Sequence, residues 1–163
     1  MASQTEFVRL TDIPFEDILD HMSDPRLLEH MPLLTPGWTH ETVTSFVAAK
    51  EERWAADGLG HWAFLWTGAY VGWGGFEKEP TGEWDFALVL KPECFGIGPA
   101  IAKKAISFAL EDPRIDEVVF QLAPSRRSFG VLERLGAERV GDGEVAGHRF
   151  LKFRLSTRKV PAA

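Results

Sequence analysis

The chain changes hydrophobic period several times, and each change marks an element. Residues 6–10 read as a short strand. After Asp12, the apolar residues Phe15, Ile18, Leu19 and Met22 recur at helical spacing, which predicts a helix capped by Asp12. Asp24 and Pro25 restart a helix that carries Leu27, Leu28 and Met31 and stops before Pro32. Thr39 is placed to cap a longer helix with Val43, Phe46, Val47 and Trp54 on one face, ended by Gly58 and Gly60. From residue 61 the period falls to two. Residues 61–66 and 70–76 are aromatic and β-branched and flank Thr67-Gly68, a two-residue hairpin turn.

Pro80-Thr81-Gly82 is a second turn, and 84–90 is a nearly continuous apolar strand. Phe95-Gly96-Ile97-Gly98-Pro99 leads into a helix with Ile101, Ala105, Phe108 and Ala109 on one face. A strand at 117–122, a helix at 125–135 stopped by Gly136, and strands near 137–140 and 149–155 joined by a glycine-rich turn complete the order. This succession predicts a mixed α/β domain with an antiparallel first half and one β-α-β crossover. One domain is expected over 1–155, with 156–163 a short tail.

Composition narrows the function. The 163 residues suit one core, and 18 Lys+Arg against 24 Asp+Glu give a net charge of −6. That balance argues against a general nucleic-acid binder, which needs surplus cations to neutralise phosphate. A single cysteine makes no internal disulfide or cysteine-rich zinc site, and no His/Asp/Glu cluster has ligand spacing, so no metal is expected. No apolar run approaches the roughly 20 residues of a membrane span. The first ten residues lack a signal pattern, and a cytoplasmic protein contacting no membrane is expected.

The segment from Leu88 to Ala102 carries the chemistry. A strand enters a turn with Gly96 and Gly98, and a helix leaves it. A helix start offers amide donors and positive potential to an anion such as a pyrophosphate, and glycine permits close approach. By itself this G-x-G equally fits a plain strand-to-helix turn. The third glycine of a dinucleotide fingerprint would fall at Ile101, and no Gly-Lys-Ser/Thr follows.

Together with Ser125-x-x-Ser128 and Val131-Leu132-Glu133-Arg134-Leu135-Gly136-Ala137, this loop resembles the GNAT superfamily of acetyl-CoA-dependent N-acetyltransferases. The resemblance runs from Phe7 to Leu155. The front part, Asp24-Pro25-Arg26 and Leu33-Leu34-Thr35-Pro36, is most similar to the branch containing ribosomal-protein N-terminal acetyltransferases. It implies a GNAT fold: a mixed, mostly antiparallel sheet of about six to seven strands flanked by about four helices. It implies acetyl-CoA as cosubstrate and direct transfer to a primary amine of a small molecule or a protein N-terminus. Many relatives are homodimers. Val89 and Leu90 would then offer strand backbone to the pantetheine arm, in a slot where the strands at 84–90 and 117–122 splay. Phe95, Gly96, Ile97 and Gly98 would hold the pyrophosphate, and Ser125 and Ser128 would line its far side. Trp38 lies in a loop that often shapes the acceptor pocket, with His30, His61 and Glu29 as further lining candidates.

Amide formation needs an acceptor for the amine proton. Glu83 and Asp85, at the start of the central strand, are the candidate bases, and alternation puts Asp85 on the face of Ala87 and Val89. Ser128 is the nearest hydroxyl at a family position. Four residues depart from the family pattern. Glu93 replaces Gln or Arg and sets an anion toward the pyrophosphate, Pro99 lacks an N–H, Ser125 replaces the usual Asn and shortens the reach of that contact, and Leu132 stands where many relatives place a tyrosine acid. These departures keep two other readings open: a non-catalytic coenzyme A or acyl-CoA binding domain, and a GNAT-fold interaction module.

Overall fold

Turn chemistry sets the register of the sheet. Strands β2 (His61–Trp66) and β3 (Ala69–Lys78) are joined by Thr67 at φ +51° and Gly68 at φ +81°. Both values are positive, as a two-residue type I′ hairpin loop requires. The computed structural model describes residues 4–29, 31, 37–122, 129–145 and 147–157. Besides that hairpin these residues form β1 (Thr5–Val8), β4 (Trp84–Leu90), β5 (Glu117–Leu122), β6 (Glu138–Val145) and β7 (His148–Ser156). The helices are α1 (Phe15–Met22), α2 (Pro25–Leu28), α3 (His40–Asp57), α4 (Gly98–Glu111) and α5 (Phe129–Arg134). One seven-stranded sheet results, in the order β1-β2-β3-β4-β5-β7-β6. Every neighbouring pair is antiparallel except β4 and β5, which the α4 crossover makes parallel.

Helix ends follow local chemistry. Asp24 caps α2 by accepting from the Arg26 amide. Thr39 and Thr42 exchange hydrogen bonds as a capping box for α3, and Gly58 ends that helix at φ +73°. Asp12 does not cap α1. It sits in a 3-10 helix at Leu10–Asp12, and α1 begins after Pro14. The ring of Pro14 disfavours helical backbone at Ile13, which is extended at φ −103° and ψ 134°. Of the glycines expected to turn the last hairpin, Gly141 and Gly143 lie inside β6, and Gly147, at φ +80°, stands between β6 and β7. The register with β7 shifts between Arg139 and Gly141, so the glycine serves a bulge there. Past residue 155 the chain stays packed: Thr157 is buried, and its amide donates to the Asp116 carbonyl.

The two faces of the sheet bury separate apolar clusters. Phe64, Phe76, Trp84 and Leu90 meet Ile101, Ala105 and Ala109 of α4. On the other face Ala63, Trp73 and Val89 meet Ile18, Met22, Val43 and Val47 of α1 and α3. Trp62, Trp73 and Trp84 are buried, as residues supplying cross-strand packing are expected to be. Among the described residues, no helix is long and apolar enough to cross a membrane, and no group of side chains is arranged to hold a metal ion.

Candidate active site

Strands β4 and β5 pair only at Trp84–Val118, Asp85–Val119 and Phe86–Phe120. Beyond Phe86 the ladder stops, although β4 runs on to Leu90 and β5 to Leu122. A gap in a parallel sheet, at the carboxyl ends of its strands, is where open α/β sheets bind ligands. A depression of about 400 Å³ lined by Thr81, Glu83, Glu117 and Ser156 lies at the opposite, amino end of these strands. It therefore does not belong to the same site.

Asp85 is the middle one of the three paired positions, one residue before the ladder ends at Phe86. Its β3 partner is Glu77, and alternation puts it on the face of Val89, toward α1 and α3. Its buried Oδ1 has no hydrogen-bond partner among the described residues. Burial is the main influence raising its pKa to about 7, with the Glu79 and Glu77 charges adding to it. A hydrogen bond from Gln121 and the charge of Lys152 act in the other direction. A carboxyl poised near neutrality with a free oxygen is chemically suited to take a proton.

Glu83 is a different case. It accepts from Arg154 at 3.1 Å and from the Thr81 hydroxyl at 3.2 Å, with Lys152 Nζ at 3.7 Å. Burial works to raise it, but the Arg154 hydrogen bond, the Lys152 charge and the Thr81 hydroxyl prevail and hold it below the usual carboxylate range. It binds β4 to β7 and is poorly suited to act as a base.

The glycine segment is more ordered than a loop. A 3-10 helix at Pro92–Ile97 runs directly into α4, and the Gly98 amide donates to the Phe95 carbonyl. That amide is committed within the fold, while the first-turn proline at residue 99 is accommodated in α4. Neither Gly96 nor Gly98 has positive φ. A Cβ at Gly96 would meet nothing within 4 Å, and one at Gly98 would make only ordinary contacts with Leu90 and Leu88 at 3.4 and 3.7 Å. The fold itself does not demand glycine at either position. The open space is at Gly96, where a closely approaching group such as the coenzyme of acetyl-CoA fits, while Gly98 packs on Leu90 and Leu88 at the end of β4.

Glu93 does not stand as a bare anion beside this cradle. Arg26 Nη2 donates to its carboxylate at 3.1 Å and also to Asp24 at 2.6 Å. This exposed clasp joins α2 to the glycine segment. Burial pushes the half-buried Cys94 thiol up, and the neighbouring Glu93 charge does the same, so it is a poor nucleophile.

Trp38 is half-buried and meets Phe46 edge-on, at 5.2 Å between centroids. Phe46 in turn meets Trp73 at 4.9 Å, so Trp38 belongs to the aromatic layer on the Asp85 side of the sheet. Leu132 is buried in the opposite cluster. Tyr70, the single tyrosine, is buried on the β3 hairpin, with its hydroxyl 2.7 Å from His21 Nδ1. Burial pushes that phenol well above its ordinary range. Burial also lowers His21 to about 4, with the Leu90 carbonyl opposing, so the ring is neutral at pH 7. His30, Ser125, Ser128, Arg126 and Arg127 lie outside the described residues.

Sequence reasoning missed Arg26, Lys50, Glu77 and His21. Arg26 gave a signal only as the residue after a capping Asp-Pro. Glu77 lies one position past the expected end of its strand.

Comparison with known proteins agrees with this architecture. The acetyltransferase (GNAT) domain family matches residues 6–138. An acetyltransferase of the GNAT family from Bacillus anthracis superposes with a TM-score of 0.72 at 15% identity, covering 96% of this chain and 97% of that one. Spermidine N-acetyltransferase from Vibrio cholerae, in complex with CoA and spermine, gives 0.74 at 10% identity over 96% and 97%. An aminoglycoside acetyltransferase in complex with coenzyme A gives 0.70 at 13% identity over 94% of each chain. Identities this low speak for the fold, whereas the family match spans most of the sequence. The chain belongs to the acetyltransferase (GNAT) domain family and is an acyltransferase.

Proposed function

We propose that this protein is an N-acetyltransferase that moves the acetyl group of acetyl-CoA directly to a primary amine, with Asp85 as the general base. The observation that carries this reading is Asp85 itself: a carboxyl near neutrality, with an unpartnered oxygen, one residue before the β4–β5 ladder ends. Bound acetyl-CoA supplies an activated acetyl group whose thiol departs as the amide forms. Asp85 accepts the proton that the amine sheds while its nitrogen bonds to carbon, directly or through one water. Gly96 leaves the coenzyme room, and the edge of β4 at Val89 and Leu90 is unpaired on the β5 side.

A base near 7 is better matched to an α-amine, which titrates near ~8, than to lysine near ~10.4. This supports a protein N-terminus or similarly weak amine as acceptor, in keeping with the branch that the front of the chain resembles. Named neighbours act on spermidine and aminoglycosides, which keeps small cationic amines in the test panel.

The test combines thermal shift with thiol release across α-amino peptides, polyamines and aminoglycosides. Acetyl-CoA should raise the melting temperature by linkage, and one amine class should release thiol. Asp85→Asn should lose roughly 10²–10⁴-fold in rate. An unchanged melting curve at saturating acetyl-CoA removes the cosubstrate assignment. Binding without turnover would favour a coenzyme A binding domain, the reading to which the buried Leu132 points.

A further inference from the structure

A second charged pair lies beneath the sheet on the Asp85 side. Lys50 of α3 donates to Glu77 Oε2 at 3.0 Å, and both side chains are largely buried, at 13% and 22% exposed. The Lys50 ammonium also lies 5.4 and 5.0 Å from the ring centroids of Phe46 and Trp73, which fixes its approach. Glu77 is the direct cross-strand partner of Asp85, so two carboxylates on adjacent strands share one face. His61 of β2 brings Nδ1 to 3.8 Å from Glu77 Oε2, and its ring is held neutral by burial and by the Lys50 and Arg53 charges. An ion pair buried under a sheet has a desolvation cost, and a well-packed apolar pair would serve stability as well.

We propose that Glu77 and Lys50 are positioning residues for Asp85: Glu77 presents a second carboxylate across the β3–β4 ladder, and Lys50 clamps it from α3. This inference rests on Asp85 being the base and deepens that reading. The other groups facing Asp85 are Glu79 after β3, Gln121 on β5, and Lys152 and Arg154 on β7. Arg154 and Lys152 are drawn to Glu83 and Glu117. Arg53 donates to the Lys78 carbonyl. Of the two carboxylates bearing on Asp85 from the β3 side, Glu77 is the one fixed by a buried cation. Its nearby negative charge disfavours the ionised form of Asp85, and Lys50 limits that effect without cancelling it.

The variants order themselves. Glu77→Gln removes the anion and leaves Lys50 acting alone, so the Asp85 titration should fall by about one pH unit, a tenfold change in its proton affinity. Adding Lys50→Met to that variant removes the opposing cation and should move the midpoint part of the way back. The carboxyl of Asp85 is followed by carbon NMR without acetyl-CoA, and the acid limb of kcat/KM is followed in parallel. An unmoved midpoint in Glu77→Gln, or a further fall in the double variant, overturns the proposal. If Glu77→Gln does not fold, the double variant carries the test, since it leaves no buried charge unpaired. Its midpoint must then lie below that of the parent, and an equal or higher one overturns the proposal. Midpoints that order as expected while the acid limb stays put would uphold this inference and remove Asp85 as the base.

Discussion

Replacing Asp85 with asparagine should make the protein more stable and less active, and the two effects have a common origin. The folded carboxyl titrates at about 7 against 3.8 in the unfolded chain. A folded pKa raised above the unfolded one contributes stability fully present below pH 3.8, and that contribution is lost as pH rises through about 7. At 1.36 kcal/mol per unit, ionised Asp85 costs the folded state about 4 kcal/mol above pH 7 and about 1.5 kcal/mol at pH 5. Asparagine has no such titration. The stability difference between Asp85→Asn and the parent should therefore grow by about 2–3 kcal/mol between pH 5 and pH 8. Urea denaturation at several pH values reads this difference, and His21 and the other titrating groups cancel in the comparison. A difference flat with pH would refute the reasoning, whatever happens to the rate. The trade of stability for a group poised to react is one that active sites make repeatedly.

Three further outcomes follow from the site. Gly96→Ala should leave the free protein's melting temperature unchanged or higher, because a Cβ there meets nothing within 4 Å. It should nevertheless weaken acetyl-CoA binding by calorimetry, and undiminished affinity would mean that no ligand approaches the segment closely. Glu93→Gln should tighten acetyl-CoA binding by roughly two- to fivefold at low salt, with the gain shrinking as salt rises. Here the removed anion is what acts, since Arg26 stays held by Asp24, and weaker binding would contradict that. Tyr70→Phe strands a buried imidazole now 2.7 Å from a hydroxyl, and should cost about 1–3 kcal/mol in denaturation while leaving kcat essentially unchanged. A collapse of kcat in a folded variant would assign the acid role to Tyr70.

Some elements were fully legible in the sequence. The strands at 61–66, 84–90 and 117–122 are apolar runs closed by turn residues, and their ends coincide with β2, β4 and β5. Legibility failed where a local signal had two physical uses. Asp12 is a good cap, but Pro14 decides where the helix begins. Gly141 reads as a turn residue and instead relieves a bulge. Alternation placed Asp85 on the correct face, yet nothing local separates it from Glu83. The separation comes from Lys152 and Arg154 on β7, about seventy residues away, which neutralise one carboxylate and leave the other. The resemblance sets Glu93 against the coenzyme because the family has Gln or Arg at that position, and the cation that meets it is 67 positions distant.

Among the described residues, only three ladder positions tie β1–β4 to β5–β7–β6. Backbone pairing across the middle of the molecule is therefore sparse, and the two half-sheets meet chiefly through side chains of the α4-facing core. Such a seam should open on its own at lower free energy than either half unfolds. A ligand lying in the gap would act as a substitute strand, closing the seam by hydrogen bonds to both sides. Occupancy would then register as slowed amide exchange at Ala87–Leu90 and Gln121–Leu122, and as a merging of two unfolding units into one.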